Sequence, residues 1–127
     1  MSDETLPAGL AIFVVEDEAL VALNLEAMLE DIGCRVIGPA MRFERAEQMM
    51  HEGLAADAAI LDVNIGGRQV FDLARGLARR GIPIVFATGY GRDGMPGEWL
   101  DRPILQKPYV EREVRKALRE AMAARQG

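Results

Sequence analysis

The sequence predicts an α/β fold built on one doubly wound parallel sheet, and three observations predict it. Short apolar runs alternate with amphipathic stretches five times, with no repeat and no internal linker. The central run, Ala58-Ala59-Ile60-Leu61, is unbroken rather than alternating, as in a strand buried on both faces. It then meets a single carboxylate, Asp62, with Gly66-Gly67 close behind, so the acid falls at the mouth of the sheet. An acid there must be solvated, paired or metal-bound.

The elements follow in order. Residues 1–9 are polar, contain Pro7 and Gly9, and are expected as a flexible N-terminal tail before one domain over 10–127. Leu10 to Val15 is a short β-branched run, strand one, and it ends in Glu16, Asp17 and Glu18. From Ala19 to Ile32, Val21, Leu25, Met28, Leu29 and Ile32 recur at helical spacing, and Gly33 stops the helix. Arg35 to Pro39 is a brief second strand. A second helix over about 42–53 places Phe43, Ala46 and Met50 on one face. Strand three is the central run. Val70, Phe71, Ala74, Leu77 and Ala78 form the apolar side of a third helix, ended by Gly81. Ile82 to Ala87 is strand four, with Pro83 tolerable near its start.

Residues 88–97 hold four glycines and a proline, so a fourth helix is expected to be short or disordered, with a turn over 98–102. Ile104-Leu105 begins a fifth strand. A final helix from Tyr109 to about Arg125 buries Val110, Val114, Ala117, Leu118, Ala121 and Met122. The five-stranded solution is the flavodoxin-like (βα)5 sheet, strand order 2-1-3-4-5, whose ligands sit at the carboxyl edge near the topological switch.

Composition narrows the function. A chain of 127 residues suits one domain with a real core. The net charge of −5 and the lack of a basic face argue against a nucleic-acid partner. One cysteine, Cys34, excludes an internal disulfide and fits a reducing, cytoplasmic compartment. The polar, acidic start is unlike a signal peptide. No apolar run approaches the roughly 20 residues needed to cross a bilayer, so no membrane role is expected.

The expected carboxyl edge collects Glu16, Asp17, Asp62, Thr88 and Lys107 from the ends of strands one, three, four and five. Three converging carboxylates repel one another unless a cation neutralises them. Oxygen ligands without His or thiolate suit Mg²⁺. A carboxylate held beside Mg²⁺ and an ammonium is poised to attack a phosphoryl group and form an aspartyl phosphate. Asp62 is then the nucleophile, Asp17 a metal ligand, and Glu16 a ligand directly or through water. Blander roles exist for each: Asp17 and Glu18 would also cap the first helix, and Thr88 or Lys107 alone would be structural.

With Asn64 two residues beyond Asp62, and with Thr88-Gly89 and Lys107-Pro108, this set resembles the receiver domain of two-component response regulators over essentially the whole chain. The resemblance implies that Asp62 is the phosphoacceptor, taking its phosphoryl group from a histidine kinase or histidine phosphotransfer protein. It implies that the main-chain carbonyl of Asn64 joins Glu16, Asp17 and Asp62 around Mg²⁺, and that Thr88 and Lys107 bind the phosphoryl group. Such a chain is not a turnover enzyme beyond self-phosphotransfer and autodephosphorylation. It would act alone through protein contact, or as a phosphorelay shuttle or sink.

Two features depart from most receivers: Ile104 stands where an aromatic switch residue is usual, and the fourth helix is doubtful. Together with Phe86-Ala87-Thr88-Gly89-Tyr90 they look like a subgroup nicknamed for its Phe-Ala-Thr-Gly-x-Tyr motif. That subgroup implies output through ordering of the region after strand four rather than through an aromatic rotamer flip, with Thr88, Gly89, Tyr90 and Ile104 as the switch and output positions.

Other classes remain in view. An unphosphorylated interaction module would keep the fold without the chemistry. A Mg²⁺-dependent phosphohydrolase with an aspartyl nucleophile would need a second acid where Asn64 stands. Gly89-Tyr-Gly91-Arg-Asp-Gly94 matches the GxGxxG dinucleotide pattern, but Met95-Pro96-Gly97 follows instead of a helix, so that reading fails.

Overall fold

The computed structural model describes residues 6–126. Its elements are β1 (Ala11–Val15), α1 (Ala19–Ile32), β2 (Arg35–Ala40), α2 (Phe43–His51), β3 (Ala58–Asp62), β4 (Asn64–Ile65), β5 (Arg68–Gln69), α3 (Phe71–Arg79), β6 (Ile84–Thr88), β7 (Ile104–Gln106) and α4 (Glu111–Gln126). Five strands form a parallel sheet in the order β2-β1-β3-β6-β7, while β4 and β5 make a separate antiparallel hairpin. The main sheet is thus the expected flavodoxin-like 2-1-3-4-5 arrangement.

Burial on both faces explains the unbroken apolar runs. Every residue of β1, β3 and β6 is buried, and successive side chains alternate between two cores. Phe13, Val15, Leu61 and Phe86 pack with residues of α2 and α3, whereas Ile12, Val14, Ile60 and Val85 pack with residues of α1 and α4. Helix α1 buries Ala22, Leu25 and Leu29 and closes on Gly33, whose φ of 102° only glycine adopts freely. The Cys34 N–H then bonds the Leu29 carbonyl, satisfying a helix-end acceptor. Between β1 and β2 the register steps around Gly38, where φ is 96° and a Cβ would stand 2.7 Å from the Ala40 nitrogen.

Several local expectations change, among them the start of strand four, which falls at Ile84 rather than Ile82. Helix α2 is shorter than 42–53, because Arg42 is extended and Glu52 ends the helix just ahead of Gly53 at φ 98°. Val110 lies before α4, not on its buried side, and is 51% exposed. The β4–β5 hairpin was not anticipated, since two-residue strands carry no periodicity. Between β6 and β7 the described residues contain no α-helix but a 3-10 turn, Gly97–Trp99, which overlaps the turn expected over 98–102 and agrees with the doubt about a fourth helix. The tail expected over 1–9 lies partly outside the described residues. Within them, the Gly9 N–H donates to the Gly33 carbonyl and Leu6 packs against the core.

Candidate functional site

Parallel strands in right-handed crossovers deliver their carboxyl ends to one edge. Here that edge gathers Glu16 and Asp17 after β1, Asp62 ending β3, Thr88 ending β6 and Lys107 after β7. Register brings the last two together: Asp62 pairs with Ala87, Thr88 pairs with Gln106, and the Lys107 N–H donates to the Thr88 carbonyl at 3.1 Å.

Lys107 is the hub. Its Nζ donates to Asp62 Oδ2 at 2.8 Å, stands 2.9 Å from Glu16 Oε1 and lies 3.8 Å from Glu18 Oε1. Burial alone would lower its pKa, but the hydrogen bond to Asp62, the ion contact with Glu16 and the charges of both carboxylates outweigh this, so the pKa is raised. The group is an ammonium at any physiological pH.

Glu16 is only 1% exposed. Its Oε2 accepts a hydrogen bond from the Glu18 N–H at 3.0 Å, while Oε1 is buried with only the Lys107 ion contact and no aligned hydrogen bond. Burial pushes this carboxyl up to about 7; the nearby Asp62 charge adds to the rise, and Lys107 and the Glu18 N–H oppose it. Asp17 is half-buried, and its Oδ2 accepts from the Gly66 N–H at 2.8 Å, which ties the β4–β5 turn to the end of β1.

Asp62 is buried and its Oδ1 accepts from the Asn64 N–H at 3.3 Å. The Asn64 side chain is committed to the hairpin, with Oδ1 accepting from the Gly67 N–H at 2.9 Å. Thr88 is buried, and its Oγ1 accepts from the Tyr90 N–H at 3.1 Å.

Two of the proposed switch positions stand apart from the charges. Tyr90 is 81% exposed, and Ile104 packs against the apolar core on the α2–α3 face. Tyr109 was missed as a neighbour of the site. It is buried; burial first, then the charges of Glu16 and Asp62, hold its hydroxyl well above the usual range. It precedes α4 directly after Lys107-Pro108, where helical periodicity carries no signal.

The donor set can be tested for a cation. One oxygen from each of Glu16, Asp17 and Asp62 lies within 4.8 Å of the others. Three carboxylates against one ammonium leave about two surplus negative charges, and Glu16 Oε1 lacks a hydrogen bond. No soft ligand is near: His51 is exposed at the end of α2, and Cys34 is buried ahead of β2. An all-oxygen site of this charge fits a hard divalent ion such as Mg²⁺.

Fold and edge together define a signalling-type α/β domain, and comparison makes the class explicit. Residues 12–119 match the response regulator receiver domain model, and the chain belongs to that family. It is 30% identical over 120 residues to the phyllosphere-induced regulator PhyR of Methylorubrum extorquens, covering 87% of this chain and 43% of the relative. The sensory transduction protein LytT of Bacillus subtilis is 31% identical over 116 residues, with 87% and 47% covered. The chain therefore spans under half the length of both curated relatives. The solution structure of SdrG from Sphingomonas melonis Fr1 superposes with a TM-score of 0.81 at 41% identity, covering 92% of this chain and 99% of that one.

Proposed function

We propose that this receiver domain accepts a phosphoryl group on Asp62 from a histidine kinase or histidine phosphotransfer protein and transmits the change by protein contact. The observation that carries the reading is the Lys107 ammonium 2.8 Å from Asp62 Oδ2, at a mouth where one carboxylate oxygen each of Glu16, Asp17 and Asp62 lies within 4.8 Å of the others.

In the reaction an Asp62 oxygen attacks phosphorus, the bond from phosphorus to the donor's imidazole nitrogen breaks, and an aspartyl phosphate forms. Lys107 exchanges part of its carboxylate contact for the transferred oxygens, and the Thr88 hydroxyl donates to another. The three carboxylates and the Asn64 main-chain carbonyl would hold Mg²⁺, which when bound would neutralise charge on the phosphoryl oxygens. A phosphohydrolase with an aspartyl nucleophile would need a second acid where Asn64 stands, so the reading is of a phosphoprotein rather than a turnover enzyme. The response leaves through Thr88, Gly89 and Tyr90, with Ile104 too small to act as an aromatic rotamer switch.

Incubation with acetyl phosphate and Mg²⁺, followed by intact-mass measurement, tests this. One added phosphoryl group is expected, absent in Asp62→Asn and absent without Mg²⁺. Amide NMR signals over 89–101 are expected to shift in the phosphorylated form. No mass gain with acetyl phosphate or with a phosphorylated histidine donor would refute the assignment.

A further inference from the structure

The segment that stands where a fourth helix would be, residues 89–101, is held to the sheet by very little. Only Met95 and Trp99 of its residues are buried. Trp99 stacks edge-on against Phe86 of β6 with ring centroids 5.3 Å apart, and Phe86 in turn lies 5.7 Å from Phe71 of α3. This aromatic row runs from α3 through β6 into the segment. Phe86 is two residues before Thr88, on the same strand, so the anchor sits one side-chain repeat from the site edge.

The anchorage carries a defect. Trp99 Nε1 is buried with no hydrogen-bond partner, although a buried indole N–H normally finds one. An unmade bond of this kind penalises the docked state, because the same N–H would be hydrated if Trp99 left. The rest of the segment is secured by polar contacts at its rim. Arg92 donates to the Leu100 carbonyl, Arg75 of α3 pairs with Glu98 at 3.0 Å, and the Arg102 guanidinium lies 5.1 Å from the Trp99 ring centre. On one flank the segment does not fill its berth. A cavity of about 490 Å³ remains there, lined by Arg92, Asp101 and Arg102 on one side and Ile82, Ile84 and Ala121 on the other. Gly91 and Gly94, at φ 64° and 82°, bend the backbone into short i to i+3 turns, such as the Met95 N–H to the Arg92 carbonyl, rather than an α-helix.

We propose that Trp99 is a latch for residues 89–101: its indole holds the segment on Phe86 in a docked state kept metastable by the unpaired N–H, and phosphorylation of Asp62 releases it. The coupling half rests on the reading of Asp62 as phosphoacceptor; the latch half does not. Trp99→Phe keeps an aromatic ring on Phe86 and deletes the orphan donor, so it tightens the latch. Trp99→Ala removes the anchor and opens it.

Hydrogen exchange read by mass spectrometry on the full chain, without any phosphodonor, tests the latch. Amides of 89–101 are expected to exchange severalfold more slowly in Trp99→Phe and about tenfold faster in Trp99→Ala, with α1 and β1 unchanged. Unaltered exchange over 89–101 in both variants would overturn it. Trp99 is the one tryptophan of the chain, so acrylamide quenching of its fluorescence reads the coupling while intact mass reads phosphorylation in the same sample. Quenching that rises with the phosphorylated fraction supports release. A phosphorylated sample whose tryptophan stays shielded refutes release, and a sample that never gains mass refutes the phosphoacceptor reading while the exchange result still judges the latch.

Discussion

Lys107 reaches both Asp62 and Glu16 within 2.9 Å from a side chain that is 18% exposed, so one ammonium offsets two carboxylates in a half-dry setting. Its removal leaves those acids facing each other without compensation. Lys107→Ala is expected to cost about 1–3 kcal/mol at pH 8 without Mg²⁺. The cost shrinks at pH 5, because Glu16, already pushed up to about 7, takes a proton and the repulsion disappears. Urea unfolding of both forms at the two pH values checks this; an equal cost at both would contradict it. At this scale the sequence was informative for the charges and poor for their neighbours. Glu16, Asp17, Asp62, Thr88 and Lys107 could be placed because each stands where an apolar run stops. Tyr109 and Trp99 could not, since an isolated aromatic outside any periodic stretch does not declare which surface it joins.

Elements that obey a period were legible, and those shaped by close approach were not. The unbroken runs of β1, β3 and β6 announced burial on both faces, and α1 runs over the expected Ala19–Ile32 because Gly33 closes it. The hairpin of β4 and β5 owes its form to side-chain and backbone bonds: Gly67 N–H to Asn64 Oδ1, and Gly66 N–H to Asp17 Oδ2. Neither is written in hydropathy. Gly38 shows the same limit. It lies inside the strand expected over Arg35 to Pro39, but hydropathy does not show that it sits at a register step with backbone packed where a Cβ would go. Gly38→Ala is expected to destabilise the fold by about 1–3 kcal/mol through the left-handed φ and the clash with the Ala40 nitrogen. Gly53→Ala provides the contrast: it shares a positive φ but meets open space, so it should cost less. Equal midpoints for the two variants in denaturant would discount the close approach.

For the whole molecule, the acidic edge links stability to protons and cations. Glu16 has a folded pKa of about 7 against an ordinary 4.5. The folded state therefore binds its proton more tightly than the unfolded state. Its contribution is full below about pH 4.5 and is lost as pH rises through about 7. A divalent cation competes for the same carboxylate and reverses the trend. Mg²⁺ at a hundredfold excess over its dissociation constant would add about 2.7 kcal/mol, with a larger gain at pH 8 than at pH 5. Thermal unfolding with Mg²⁺ or with a chelator at both pH values measures it, and Glu16→Gln should flatten the pH dependence. A Mg²⁺ gain that is the same at both pH values would argue that Glu16 takes no part in binding.

The order in which the strands contribute to that edge has a consequence for how the molecule is made. Asp62 and Lys107 are 45 residues apart, and Glu16 and Asp17 come earlier still. On a ribosome the chain displays Glu16, Asp17 and Asp62 well before the Lys107 ammonium that offsets them. β1 and β3 can pair at once, but their carboxyl ends then repel across the edge until β7 arrives. An emerging chain thus needs more counter-charge than the finished protein, in which Lys107 offsets part of the edge, and Mg²⁺ in the surrounding fluid is suited to supply the difference.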